Sequence, residues 1–193
     1  TIAAAIDARV LSSLKDERVA AESKIALDLG TLPALDRAAV IADAEAALFA
    51  AKVCSYTQGL RLIAATSRAE RWDIDLKEMA RIWKGGCIIR ARLLDAIMRA
   101  YEGDPTLPSL LLAKEFTSEM RSAHLGLRRT VALGALRGIP MPAMSASLAY
   151  YDAYRTGRLP QNLTQAQRDA FGAHTYERTD RPGAVHTDWL GAG

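Results

Sequence analysis

An arginine and a histidine flank a glycine near the end of this chain, in the run Gln165-Ala166-Gln167-Arg168-Asp169-Ala170-Phe171-Gly172-Ala173-His174. Together such side chains could hold an anion, the guanidinium through its fixed fork of donors and the imidazole through a ring nitrogen. On one unbroken helix His174 would stand about 240° round from Arg168, on a different face. A helix stop at Gly172 lets the chain turn back so that both converge on one anionic group. Thr164 as N-cap and Gln167 three residues on read as a T-x-x-Q capping box, and Gly172 as the left-handed residue that closes the helix. The plain alternative is a surface arginine and a histidine favoured by the helix dipole.

Arg9 is the third candidate. It lies at the edge of a stripe made by Ile2, Ile6 and Val10, with Ser13 and Asp16 on the same side. From periodicity alone the stronger reading is an arginine that snorkels outwards or pairs with Asp16. His124 and His186 look isolated, with no carboxylate or cysteine at ligand spacing, so no metal site is predicted. Cys87 follows Gly85-Gly86 but has no histidine near it in sequence, which favours a packed thiol over a nucleophile. Tyr150, Tyr151 and Tyr154 read as core or interface, Trp83 as core, and Ser12 and Ser13 as groups that bond back onto their own helix.

These residues need helices to position them. Apolar positions every four residues (Ile2, Ile6, Val10, Leu14) predict one long helix over residues 2 to about 28, broken by Gly30 and Pro33. An alanine-rich second long helix is expected from Leu35 or Asp36 to Arg68. Asp75 and Glu78 open a short helix through Trp83, and Cys87 to Tyr101 reads as the next. Ser109 is a plausible N-cap, and the helical pattern after it is clearest from Lys114 to Leu136. Gly138 to Pro142 is a turn, Met144 to Tyr154 a further helix, and the short Thr164 helix precedes a tail from Gly172 onward. No segment alternates convincingly with a strand period. The expected fold is all-α, a multi-helix domain of about seven to nine helices with two long antiparallel ones and a C-terminal extended tail. Residues 1–171 form the helical domain in this reading and 172–193 an arm.

Composition supports it. The chain has 193 residues, 50% hydrophobic and only 6% aromatic, which favours helix over sheet and one real core. A net charge of +3 suits anionic small molecules as readily as nucleic acid. Two cysteines without a CxxC spacing suit a reducing compartment. No stretch approaches the ~18 to 20 uninterrupted apolar residues of a membrane helix, and no signal peptide precedes the first helix, so the expected location is cytoplasmic. The chain opens on Thr1, and no strand leads through G-x-G-x-x-G into a helix, so no cofactor-binding residue is predicted.

Five blocks carry a resemblance. Ala8 to Arg18 (ARVLSSLKDER), Ser55 to Gly59 (SYTQG), Trp83 to Arg90 (WKGGCIIR), Gly138 to Pro142 (GIPMP) and Gln165 to Arg178 (QAQRDAFGAHTYER), with HTDWLG after it, resemble segments of the decarboxylating 6-phosphogluconate dehydrogenases, in that family's order. The resemblance implies that a Rossmann NADP-binding domain, the lysine base and the glutamate acid belong ahead of the part matched. This chain would then supply no catalytic residue and be inactive alone. It implies that Arg9 binds 6-phosphogluconate on the phosphate side, and that Arg168 and His174 bind it in the neighbouring subunit's active site, on a tail exchanged across a homodimer. The activity implied is oxidation of 6-phosphogluconate at C3, decarboxylation and protonation to ribulose 5-phosphate, with NADP, in the oxidative pentose phosphate pathway and gluconate utilization.

Two other readings compete. One is a helical dimerisation module with no ligand of its own. The other is a small basic nucleic-acid binder, which is weaker because 22 acidic residues are interspersed with the 25 basic ones and no recognition-helix pattern stands out.

Overall fold

The computed structural model describes residues 1–25, 27–88, 91–189 and 191. It is all-α apart from one two-residue ladder, and its contacts divide it into two compact units, Thr1–Tyr151 and Asp152–Gly193.

In the first unit, the expected opening helix is two: α1, Ile2–Ser13, and α2, Lys15–Lys24. The break is at Leu14, whose φ of −83° and ψ of 54° leave the helical region. Its cause is local. Ser12 and Ser13 hydroxyls donate to the carbonyls of Arg9 and Val10 at 2.8 and 2.7 Å, and the Arg18 guanidinium takes the Ser12 carbonyl at 3.0 Å. Serine hydroxyls that compete for backbone carbonyls weaken a helix, and here two adjacent ones stand where the ladder ends. Ala26, within the expected first helix, lies outside the described residues.

The helix α3, Arg37–Glu70, follows the expected second long helix closely. Asp36 caps it, its carboxylate accepting from the backbone N–H of Ala38 at 2.9 Å and Ala39 at 3.2 Å. Replacing Asp36 with alanine leaves both donors to water, and the expected loss is about 1 kcal/mol, read as a lower urea midpoint at unchanged slope. The helix α4, Leu76–Ile82, is capped in the same way by Asp75. The next helix, α5, runs Leu93–Gly103 and not from Cys87. Cys87 and Ile88 are non-helical, and Ile89 and Arg90 lie outside the described residues. Ser109 caps only a single 3-10 turn, Leu110–Leu112, before α6, Lys114–Leu136. Gly138 supplies the left-handed turn (φ 65°) that leads to α7, Pro142–Arg155.

The partner of α3 is therefore α6, and the two run antiparallel. Arg137 near the end of α6 donates to the Pro33 carbonyl just ahead of α3, at 2.6 Å. About two to three turns earlier, Arg129 grips Asp43 with two bonds of 2.7 and 2.5 Å, and Gly126 faces Asp43 and Ala46. Hydrogen bonding from Arg129 holds the Asp43 carboxyl below its ordinary value. Ala47, Ala50, Val53, Cys54 and Leu60 on α3, with Phe116, Met120, Ala123 and Leu127 on α6, are buried and form the core with Leu94 and Ile97 of α5. Burial pushes the Cys54 thiol up to about 12, so it is inert packing. Cys54 and Cys87 are both free.

No residue of α1 or α2 is buried. Ile2, Ile6 and Val10 are all more than half exposed, a continuous apolar stripe left largely uncovered among the described residues. Among the described residues no helix is long and apolar enough to cross a membrane.

The second unit holds α8, Asn162–Gly172, and the residues after it. The tail has order of its own: β1, Tyr176–Glu177, pairs antiparallel with β2, Ala184–Val185, across a turn containing Gly183 at φ 94°. Within that turn Arg178 forks onto Asp180 at 2.7 and 2.6 Å. Strands of two residues are too short to leave a periodic signal.

Candidate functional site

The helix that carries Arg168 begins earlier than its capping pattern suggests. Gln161 is its N-cap and makes no side-chain cap bond, while Thr164 and Gln167 lie inside the helix, so the T-x-x-Q box does not form. Pro160 stands just outside the helix, before the N-cap, and its carbonyl accepts from Leu163 N–H at 3.0 Å in the turn that leads in.

The helix end differs from expectation too. Gly172 is its last helical residue, and the left-handed position falls on Ala173, with φ 50° and ψ 39°. Thr175 is left-handed as well, at φ 57°, which is costly for a β-branched residue. What Gly172 provides is clearance. A Cβ there would stand 3.1 and 3.2 Å from Cδ2 and Nε2 of the His174 ring. The imidazole lies against the helix end, and a side chain at 172 would make it give way by a few tenths of an ångström.

Arg168 and His174 thereby border one shallow depression of about 360 Å³, lined also by Thr164, Gln167, Phe171 and Gly172. Phe171 on its rim is 91% exposed. A wider cleft on the hairpin side, about 1000 Å³, shares His174 and adds Arg158, Asn162 and Arg178. Gln165 links the two candidates. Its Oε1 accepts from Arg168 at 3.1 Å, and its Nε2 donates to the carbonyls of Thr175 at 2.5 Å and His174 at 3.4 Å. Arg9 lies in the first unit, exposed on α1, and does not pair with Asp16. Among the described residues its guanidinium has no hydrogen-bond or ion-pair partner.

The helix α8 also carries a residue to which sequence reasoning attached no role. Asp169 is completely buried. Its Oδ1 accepts from Thr175 N–H at 2.8 Å and from His186 Nδ1 at 2.9 Å, and its Oδ2 from Thr187 N–H at 3.0 Å and Trp189 Nε1 at 2.8 Å. Burial opposes ionisation, but the donors from Thr187, His186, Trp189 and Thr175 outweigh it and hold the carboxyl far below the usual carboxylate range. An ionised carboxylate can only accept, so Nδ1 is the protonated nitrogen of His186. His186 is thus not isolated but anchored to α8.

The depression sets an arginine fork beside an imidazole, a pair of donors whose chemistry suits an anion. The 6-phosphogluconate dehydrogenase C-terminal domain family matches residues 1–189. The chain belongs to that family. The decarboxylating 6-phosphogluconate dehydrogenase of Synechococcus elongatus is 54% identical over 98% of this chain, and the chloroplastic decarboxylating enzyme 3 of Arabidopsis thaliana 53% identical over the same share. A solved Plasmodium falciparum 6-phosphogluconate dehydrogenase, described in its apo form, with its cofactor NADP+ and with its substrate 6-phosphogluconate, superposes with a TM-score of 0.90 at 45% identity. That likeness covers 97% of this chain. The chain spans about 40% of the length of each of these relatives.

For a 6-phosphogluconate dehydrogenase C-terminal domain, the signal that could have exposed Asp169 was present but diffuse. A lone carboxylate in a short helix is followed by a tail rich in N–H donors and poor in aliphatics, which need an acceptor to fold upon. Nothing local said that Thr187 and Trp189, 18 and 20 residues on, would supply them.

Proposed function

We propose that this chain is the substrate-anchoring and dimer-forming domain of an NADP-dependent, decarboxylating 6-phosphogluconate dehydrogenase. The observation that carries the reading is the shared depression of Arg168 and His174, the two braced through one Gln165 side chain. A pre-oriented guanidinium beside an imidazole suits the phosphate of a sugar acid, and holding that remote group orients the reacting end. Arg9 is the third ligand. Its unpaired guanidinium on α1 is available to the phosphate.

The uncovered stripe of Ile2, Ile6 and Val10 supports a homodimer, in which apolar surface left bare by one chain is buried by another. In this reading residues 172–193 act as an arm, and Arg168 and His174 serve the partner's active site. NADP is a poor fit to the described residues, whose only strands are the two-residue ladder, with no glycine-rich strand-to-helix turn. Cofactor binding, hydride transfer and proton transfer fall to the remainder of the longer protein. The free thiols suit the cytoplasm, where the product would enter the pentose phosphate pathway.

Hybrid dimers test the exchanged site. In the complete dehydrogenase, Arg9→Ala and Arg168→Ala subunits are each expected to form weakly active homodimers. Mixed, they are expected to regain activity, because one site per hybrid would draw intact Arg9 and intact Arg168 from different subunits. Hybrids no more active than either parent would overturn the exchange. Sites contained within single subunits would leave every site with one lesion.

A further inference from the structure

The geometry points to Asp169 as a positioning residue for substrate, acting through the backbone segment that presents His174. The inference rests on the reading of His174 as a substrate ligand.

Three observations carry it. The segment Ala173–Thr175 is strained, with two non-glycine residues at positive φ within three positions, so it needs outside restraint to persist. The restraint comes from Asp169 and Gln165: the Asp169 carboxylate accepts from Thr175 N–H at 2.8 Å, and Gln165 donates to the Thr175 carbonyl at 2.5 Å. One peptide unit on each side of Thr175 is therefore fixed, and His174 is the residue immediately before. Finally, the same carboxylate collects the far end of the tail through His186, Thr187 and Trp189. A fully buried carboxylate with four N–H donors is over-built for holding a helix end. It closes the loop from α8 through the hairpin and back, so the backbone that carries His174 is held from both directions.

Asparagine at 169 keeps the size but replaces one acceptor oxygen with an NH2 group facing N–H donors. In the complete dehydrogenase, Asp169→Asn is expected to raise KM for 6-phosphogluconate roughly tenfold or more, since a misplacement of about 1 Å in a positioning group can cost as much as a hundredfold. KM for NADP is expected to stay unchanged. In a His174→Ala background the same substitution is expected to add little, because its route to substrate is already gone. An Asp169→Asn enzyme with parental KM, or effects of the two substitutions that multiply, would overturn the inference. Trp189→Phe keeps a ring against Tyr176 and removes a single donor, so it carries the test if Asp169→Asn does not fold. It is expected to raise KM a few-fold, again only while His174 is present, and a parental KM would count against the role of Asp169. The reading beneath fails separately: His174→Ala with unchanged KM for 6-phosphogluconate removes His174 from the substrate site whatever Asp169 does.

Discussion

Arg168→Ala in the complete dehydrogenase is expected to raise KM for 6-phosphogluconate about 10- to 100-fold, with a smaller fall in kcat. A charge-assisted hydrogen bond is worth about 1.5–3 kcal/mol, and each 1.4 kcal/mol is about tenfold in affinity. The loss falls chiefly on KM because the phosphate is a group that does not react, so its binding is made in ground state and transition state alike. Some loss of kcat follows if anchoring one end of the substrate aligns the other. Arg168→Lys separates charge from geometry. It keeps the cation but not the planar fork that faces Gln165 at 3.1 Å, and is expected to recover only part of the affinity. Steady-state kinetics with NADP saturating measures all three, and a parental KM in Arg168→Ala would remove this residue from the substrate site.

The scaffold offers a second large effect, and one whose sign depends on position. Gly126 of α6 sits where the two long helices touch: a Cβ there would stand 2.6 Å from Ala46 Cβ and 2.9 Å from the Asp43 carbonyl oxygen. Neither neighbour is a flexible side-chain end, so α3 and α6 must separate to admit a methyl group. Gly126→Ala is expected to destabilise the chain by about 2 kcal/mol, despite the better helix propensity of alanine. Gly59, inside α3, has nothing within 4 Å of the same added atom. There the propensity term acts alone, and Gly59→Ala is expected to stabilise by about 1 kcal/mol. Urea unfolding of both variants of this chain compares them directly. Equal effects would show that helix propensity, not the close approach of α3 and α6, decides the cost.

The helices that were legible share a property: their start, stop and buried face are all encoded nearby. Asp75 caps as its D-x-x-E spacing predicts, α6 ends where its apolar pattern ends, and Gly138 with Pro140 and Pro142 marks the turn before α7. The first helix misled because Ile2, Ile6, Val10 and Leu14 keep one period straight through the break at Leu14. Hydrophobic spacing reports which face is apolar, and it is blind to two serine hydroxyls that take carbonyls from the ladder. For α5, the apolar run from Cys87 looked continuous with the helix, yet the helix starts only at Leu93.

The sequence by itself determined the all-α class, the extents of α3 and α6, the family, and the two cations at the end of α8, because each follows from residue types at short, regular spacing. Only the tertiary structure decided that α6 rather than the first helix lies along α3, that Ala173 and not Gly172 turns the chain, and that Asp169 gathers the tail. Those outcomes rest on contacts between residues far apart in the chain. Which acceptor a buried donor finds depends on where folding carries both, and a single strand of letters records the donor and the acceptor without recording that they meet.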